Sequence, residues 1–208
     1  MQVVIAGDII NSQKHDPDKY LSVLKDILSA YSTEGMYQIY RGDSFQAKLN
    51  QPEQGLLTSI KLKAALKRFE KLDVRIAIGI GNIQIAENNI AISTGSALTR
   101  SGELLDSLKK KGQNIMVRSD HQLDKYMNTA LKMAMLYMDD WTENAAAIVY
   151  EQLSHPEWTQ EELGKKLGIQ QATASRRLTR ANWHETQELS QLFEQYYNDV
   201  SNGASTTI

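Results

Sequence analysis

Tyr37-Gln38-Ile39-Tyr40-Arg41-Gly42-Asp43-Ser44-Phe45-Gln46-Ala47-Lys48-Leu49 reads as two short strands folded about Arg41-Gly42-Asp43-Ser44. Tyr37, Ile39 and Phe45 supply strand-favouring side chains, and Gly-Asp is a dipeptide that tight hairpin turns prefer. One carboxylate, Asp43, is thereby presented at the tip of a ribbon. A second apolar run, Val3-Val4-Ile5-Ala6-Gly7-Asp8-Ile9-Ile10, carries Asp8 at its far end. If the two strands pair side by side, Asp8 and Asp43 meet at one edge of one sheet. Two carboxylates so held suit a hard cation, Mg2+ or Mn2+, which with few protein ligands recruits phosphates to complete its shell. A lone Gly-Asp is more simply a turn. Two of them, each closing a hydrophobic strand, favour a site.

The rest of the first half sets this pair in an α+β frame. Residues 3–5 suit a central strand buried on both faces, with residues 7–12 as its exit loop. Asp16-Pro17 reads as a capped helix start, followed by Tyr20, Leu24, Ile27, Leu28 and Tyr31 at helical spacing. After the hairpin a helix opens near Pro52, with Lys61, Lys63, Lys67 and Lys71 read as its solvated face. Val74-Arg75-Ile76-Ala77-Ile78-Gly79-Ile80-Gly81 is a strand whose glycines mark close approach by a backbone or a ligand. Glu87-Asn88-Asn89 turns a second hairpin, residues 96–111 form a helix, and residues 114–117 an edge strand. That order predicts helices layered on one face of a mainly antiparallel sheet, a ferredoxin-like core enlarged by one hairpin.

Composition excludes several classes. Hydrophobic content is 41%, enough for a core, and no apolar run is long enough to span a membrane. Without cysteine there is no disulfide frame and no thiolate chemistry, which with the leaderless start predicts a cytoplasmic protein. A net charge of -2 confines any nucleic-acid contact to a local patch.

The second half reads as helix throughout. Ser119-Asp120 would cap a connecting helix over 119–140, whose Met127, Met133, Met135 and Met138 suit core packing or a dimer seam. Residues 141–200 follow as an all-α domain and 201–208 as a flexible tail. Within it, Thr159 and Glu162 form a capping box, Gly168 supplies a sharp turn, and a basic helix follows. Leu163, Leu167, Ile169 and Leu178 would hold the angle between the two helices. Gln170, Gln171, Thr173, Arg176, Arg177 and Arg180 would face a DNA major groove, glutamine suited to adenine edges and arginine to guanine edges or phosphates. Acids outnumber bases over residues 141–199, so a purely protein-contacting role competes.

Residues 159–181 resemble bacterial helix-turn-helix regulators. Ala6-Gly7-Asp8-Ile9, Arg41-Gly42-Asp43-Ser44-Phe45 and Arg75-Ile76-Ala77-Ile78-Gly79-Ile80-Gly81 look like the palm-type domain of nucleotidyl and diguanylate cyclases. The combination resembles the SatD family of bacterial proteins over most of the chain. The resemblance implies a palm domain at 1–118 in which Asp8 and Asp43 ligate divalent metal. It also implies that Ile9, Ile10, Asn11 and Ser12 cradle phosphates through their backbone, with Arg41 nearby. Where the cyclases place a base-reading lysine this chain has Ile39, and their asparagine and arginine fall at Thr99 and Glu103, with Arg100 one position along. The expectation is a homodimeric DNA-binding regulator with a metal-nucleotide-sensing domain. The alternative is a nucleotidyl cyclase or oligonucleotide synthetase carrying a helix-turn-helix module.

Overall fold

Nine residues, Gln2–Ile10, form β1 and run through the middle of the molecule, in a computed structural model that describes residues 1–203. The chain continues through α1 (Pro17–Tyr31), β2 (Tyr37–Tyr40), β3 (Ser44–Lys48), α2 (Gly55–Lys67), β4 (Asp73–Gly81), β5 (Gln84–Ala86), β6 (Asn89–Thr94), α3 (Ser96–Lys111) and β7 (Ile115–Arg118). Five further helices follow: α4 (Asp124–Met138), α5 (Glu143–Ser154), α6 (Gln160–Leu167), α7 (Gln171–Arg180) and α8 (Trp183–Ser201). The class is α+β, with a five-stranded mixed sheet in the order β2-β3-β1-β4-β7. All neighbours are antiparallel except β4 and β7. Residues 204–208, most of the expected tail, lie outside the described residues.

β1 is longer than its apolar run. Gly7 and Asp8, expected in an exit loop, are paired to β3 and β4, and β4 carries the pairing on to Ile10. Gly7 is required by packing: a Cβ there would stand 2.4 Å from the Phe45 ring and 2.7 Å from the Arg75 carbonyl. The Phe45 ring, fully buried, lies over the gap that glycine leaves.

Helices cover both faces of the sheet rather than one, and β4 shows why. Its Ile76, Ile78 and Ile80 point into the core shared with α1 and α2. Ala77, Gly79 and Gly81 alternate onto the other face. Ala77 packs there with Leu104 and Leu108 of α3. A Cβ on Gly79 would lie 2.2 Å from the Ala97 carbonyl oxygen, so α3 approaches as backbone. The close approach inferred from these glycines is therefore that of a helix.

Of the four lysines expected on a solvated face of α2, Lys71 alone is exposed, and it lies past the end of the helix. Lys63 is fully buried, its ammonium 2.7 Å from Asp73 and 2.5 Å from Asp139. Lys67 joins the same cluster, 3.2 Å from Asp73, while Lys61 reaches the hydroxyl of Tyr31 and lies over the ring of Tyr150. The reason is enclosure: α5 packs on the side of α2 that lacks the sheet. The apolar core itself runs without a break from β1 and α2 into Val149 of α5 and Phe193 and Val200 of α8.

α4 starts at Asp124, later than the Ser119-Asp120 cap expected for it. Ser119 instead donates through its hydroxyl and amide to the Asp124 carboxylate, which also accepts from the buried Tyr196 hydroxyl at 2.6 Å. Burial first, then the hydrogen bond to Asp124 and its charge, push the Tyr196 phenol far above its usual range, so it is a neutral donor.

Candidate functional site

Asp8 sits opposite Ser44 on β3 and Arg75 on β4. In the turn just before Ser44, Arg41 and Gly42 both take left-handed conformations, and the chain reverses there. Two bonds pin this turn. The Ile9 amide donates to the Asp43 carbonyl at 2.8 Å, and the Tyr20 hydroxyl donates to the Gly42 carbonyl at 3.2 Å. Burial, reinforced by the Asp43 charge, raises the Tyr20 phenol, which keeps it a donor.

The two acids expected to meet do line one cleft, of about 370 Å3, together with Ile9, Ile10, Asn11, Ser12, Lys14, Arg75 and Lys109. The Asp43 carboxylate accepts from the hydroxyls of Ser12 (3.4 Å) and Ser44 (3.2 Å). Oδ2 of Asp8 lies 2.9 Å from Arg75 and 3.3 Å from Lys109. Oδ1 of Asp8 is buried with no hydrogen-bond partner, an uncompensated oxygen in a carboxylate that otherwise has strong ones. Sequence reasoning passed over Lys109, one of three consecutive lysines ending α3. Among the described residues no group of three or more His, Cys, Asp or Glu is placed to hold a metal ion. A cation between Asp8 and Asp43 would therefore draw its remaining ligands from elsewhere.

The residues expected to cradle phosphate are placed unevenly. The Ile9 amide is occupied by Asp43. Asn11, left-handed at φ 64, sends its side-chain amide to the Lys71 carbonyl at 2.8 Å, and Ser12 begins a short 3-10 turn. The N-terminus of α1 is closed by its own acid, Asp16, which accepts from the Asp18 amide. Arg41 lies on a separate cavity of about 420 Å3 with His15, Tyr20 and Asp43, so Asp43 stands between two clefts. Arg100 and Glu103 are engaged elsewhere: Arg100 with Asp120 at 2.8 Å, and Glu103 with Arg118 at 2.6 Å. Hydrogen bonds from Arg118 and then Arg100 hold the Asp120 carboxyl below its usual range.

In the other half, Thr159 caps α6 and Glu162 returns the bond to the Thr159 amide at 2.7 Å. The chain turns at Gly168 into α7. Ile148, Leu163, Ala174 and Leu178 form a small core, with Trp158, Leu167, Ile169 and Trp183 at its edge. On the far side of α7, Thr173, Arg176, Arg177 and Arg180 line a cavity of about 440 Å3. Its opposite wall is Thr142, Asn144 and Ala145 at the start of α5, where the Thr142 hydroxyl accepts from the Ala145 amide at 3.3 Å and Glu143 adds one acid to the first turn. Among the described residues none of these three arginines is in an ion pair. Gln170 is exposed at the start of α7, whereas Gln171 turns to α6 and donates to Gln160 at 3.0 Å. Thr142 and Asn144 were not singled out in the sequence; the capping threonine before an apolar helix was the available signal. The acidic surplus of this half lies outside α7, which contains no acid.

No protein-family model, no curated protein and no solved structure matches this chain. Among the described residues no helix is long and apolar enough to cross a membrane.

Proposed function

We propose that the chain is a DNA-binding regulator in which α6, the Gly168 turn and α7 act as a helix-turn-helix. The observation that carries this reading is the basic face of α7: three guanidiniums without acidic partners, lining a cavity with the N-terminal residues of α5. A phosphate is the natural occupant of that geometry, and Gln170 is left exposed for a base edge. Arg176→Ala with Arg177→Ala removes two phosphate-binding charges. The salt dependence of duplex binding, log K against log salt, should flatten by about 2 units. Equal affinity and equal slope in the double variant would leave the DNA reading without support.

On the same proposal the first half is a ferredoxin-like, cyclase-type palm that senses a metal-bound nucleotide. The chain order β1-α1-β2-β3-α2-β4 and the sheet order β2-β3-β1-β4 support that reading of the fold. The partnerless Oδ1 of Asp8 beside Asp43 supports Mg2+ or Mn2+ there, held by those two side chains, with Arg75 and Lys109, paired with Asp8 in the absence of the ion, turning to phosphate oxygens when it binds. When bound, the ion would neutralise phosphate charge. Calorimetric titration with manganese and each nucleoside triphosphate should give heat in the native chain and none in Asp43→Ala. No heat in either would remove the sensing role. A homodimer belongs to the same proposal, since a two-fold pair presents two copies of α7 to successive half-sites.

A further inference from the structure

α4 and α8 pack antiparallel: Tyr137 of α4 meets Thr186 near the start of α8, hydroxyl to hydroxyl at 3.2 Å. At the other end Leu123, Tyr126 and Met127 share a cavity of about 210 Å3 with Leu192, Gln195 and Asp199. The outer face of this pair is unusually apolar. Of seven large hydrophobic side chains left exposed among the described residues, four lie here: Tyr126 (53%), Met133 (65%), Leu136 (77%) and Leu192 (47%). A contiguous apolar patch marks an interaction surface where scattered singles do not.

The charges on this face are sorted by helix. α4 exposes Lys125 and Lys132 beside its apolar stripe. α8 presents Glu185, Glu188 and Asp199 at spacings of seven, four and seven from Leu192, along the edge that borders α4. Among the described residues neither lysine forms an ion pair, and Glu188 has only His184, at 3.5 Å. The cavity shared by Tyr126 and Asp199 puts Lys125 level with Asp199, and the antiparallel register puts Lys132 within one helical turn of Glu188. A surface carrying a basic strip and an acidic strip side by side, matched in height to within a turn, is complementary to itself.

We infer that the α4–α8 face is where a second copy of this chain docks, about a two-fold axis running along the helices. That axis lays α4 of each copy on α8 of the other, so that Lys125 and Lys132 meet Asp199 and Glu188 of the second copy and Leu136 is buried between them. An axis across the helices would set acid on acid, and the charges exclude it. The inference deepens the homodimer in the proposed function and is independent of its DNA and nucleotide parts.

Sedimentation equilibrium of the full chain at tens of micromolar, without DNA or nucleotide, tests it. The native chain should be dimeric. Leu136→Glu, at a position too exposed to unfold the monomer, should be monomeric with an unchanged circular dichroism spectrum. Lys132→Glu should weaken association about tenfold, equivalent to ~1.4 kcal/mol, and Lys132→Glu combined with Glu188→Lys should restore it. A monomeric native chain, a dimeric Leu136→Glu, or a combined variant no tighter than Lys132→Glu alone would each overturn the assignment. Because no duplex is present, failure of the DNA reading cannot produce any of these results.

Discussion

Lys63→Met tests whether the buried ion cluster on α2 is an essential joint between the sheet and the carboxyl-terminal helices. Lys63 is 0% exposed and bridges Asp73, at the start of β4, to Asp139, just past α4. Methionine preserves the length of the stem and removes the charge. Breaking one partner out of a buried ion pair costs ~3–5 kcal/mol, because the remaining charge is left without compensation. Here the loss belongs near the lower end. Asp73 keeps Lys67 at 3.2 Å and the Val74 amide at 2.8 Å, and Asp139, one-third exposed, keeps water. A destabilisation of about 3 kcal/mol is expected. With a urea m-value of about 2 kcal/mol/M that lowers the unfolding midpoint by ~1.5 M. The triple variant Lys63→Met, Asp73→Asn, Asp139→Asn should recover much of the loss, since whole buried networks are often replaceable at little cost. If Lys63→Met unfolds within about 1 kcal/mol of the native chain, the cluster is not the joint described and its burial carries no energetic weight.

Tyr196 predicts an alkaline limit. Its pKa is raised in the folded state, so its contribution is complete below the unfolded value of about 10 and declines as pH rises above it. Thermal melts should lose stability above about pH 10, and Tyr196→Phe, less stable at neutral pH through loss of the Asp124 bond, should show a flatter decline. Gly7→Ala should destabilise by ~1–3 kcal/mol or more, because the new methyl meets both the Phe45 ring and a backbone carbonyl; a neutral result in chemical denaturation would contradict the packing of Phe45 on β1. Incubation with triphosphates and manganese should release no pyrophosphate above background, since Glu103 and Arg100 are bound to Arg118 and Asp120; release abolished by Asp43→Ala would favour the enzyme reading.

The parts of the fold visible in the text are those set by short-range pattern. The Gly42-Asp43 hairpin, the Asp16-Pro17 start of α1, the Thr159–Glu162 box and the second hairpin all rest on contacts within a few residues, and all are present. What pattern hid was decided by distant partners. Lys63 has the spacing of a surface residue, and only the return of Asp139, seventy-six positions on, makes it internal. That Asp8 and Asp43 line one cleft followed from strand adjacency alone. The bases on Asp8 did not, because Lys109 reaches it only after Ala77, Gly79 and Gly81 have drawn α3 onto the second face. Likewise Gln171 has the helical phase of a neighbour of α6, and that phase matters only once α6 has taken its position.

Trp141 ties two regions that the chain separates. Its indole N–H donates to the Ala181 carbonyl at 3.0 Å, where α7 gives way to α8, while its ring forms part of the wall of a 700 Å3 cavity beside Asn11, Lys71 and Asp73. One buried side chain thus spans from the wall of that cavity to the backbone where α7 passes into α8. It is also an optical gauge: with Trp158 and Trp183 replaced by phenylalanine, the emission maximum of Trp141 would report any change that breaks its bond to the Ala181 carbonyl.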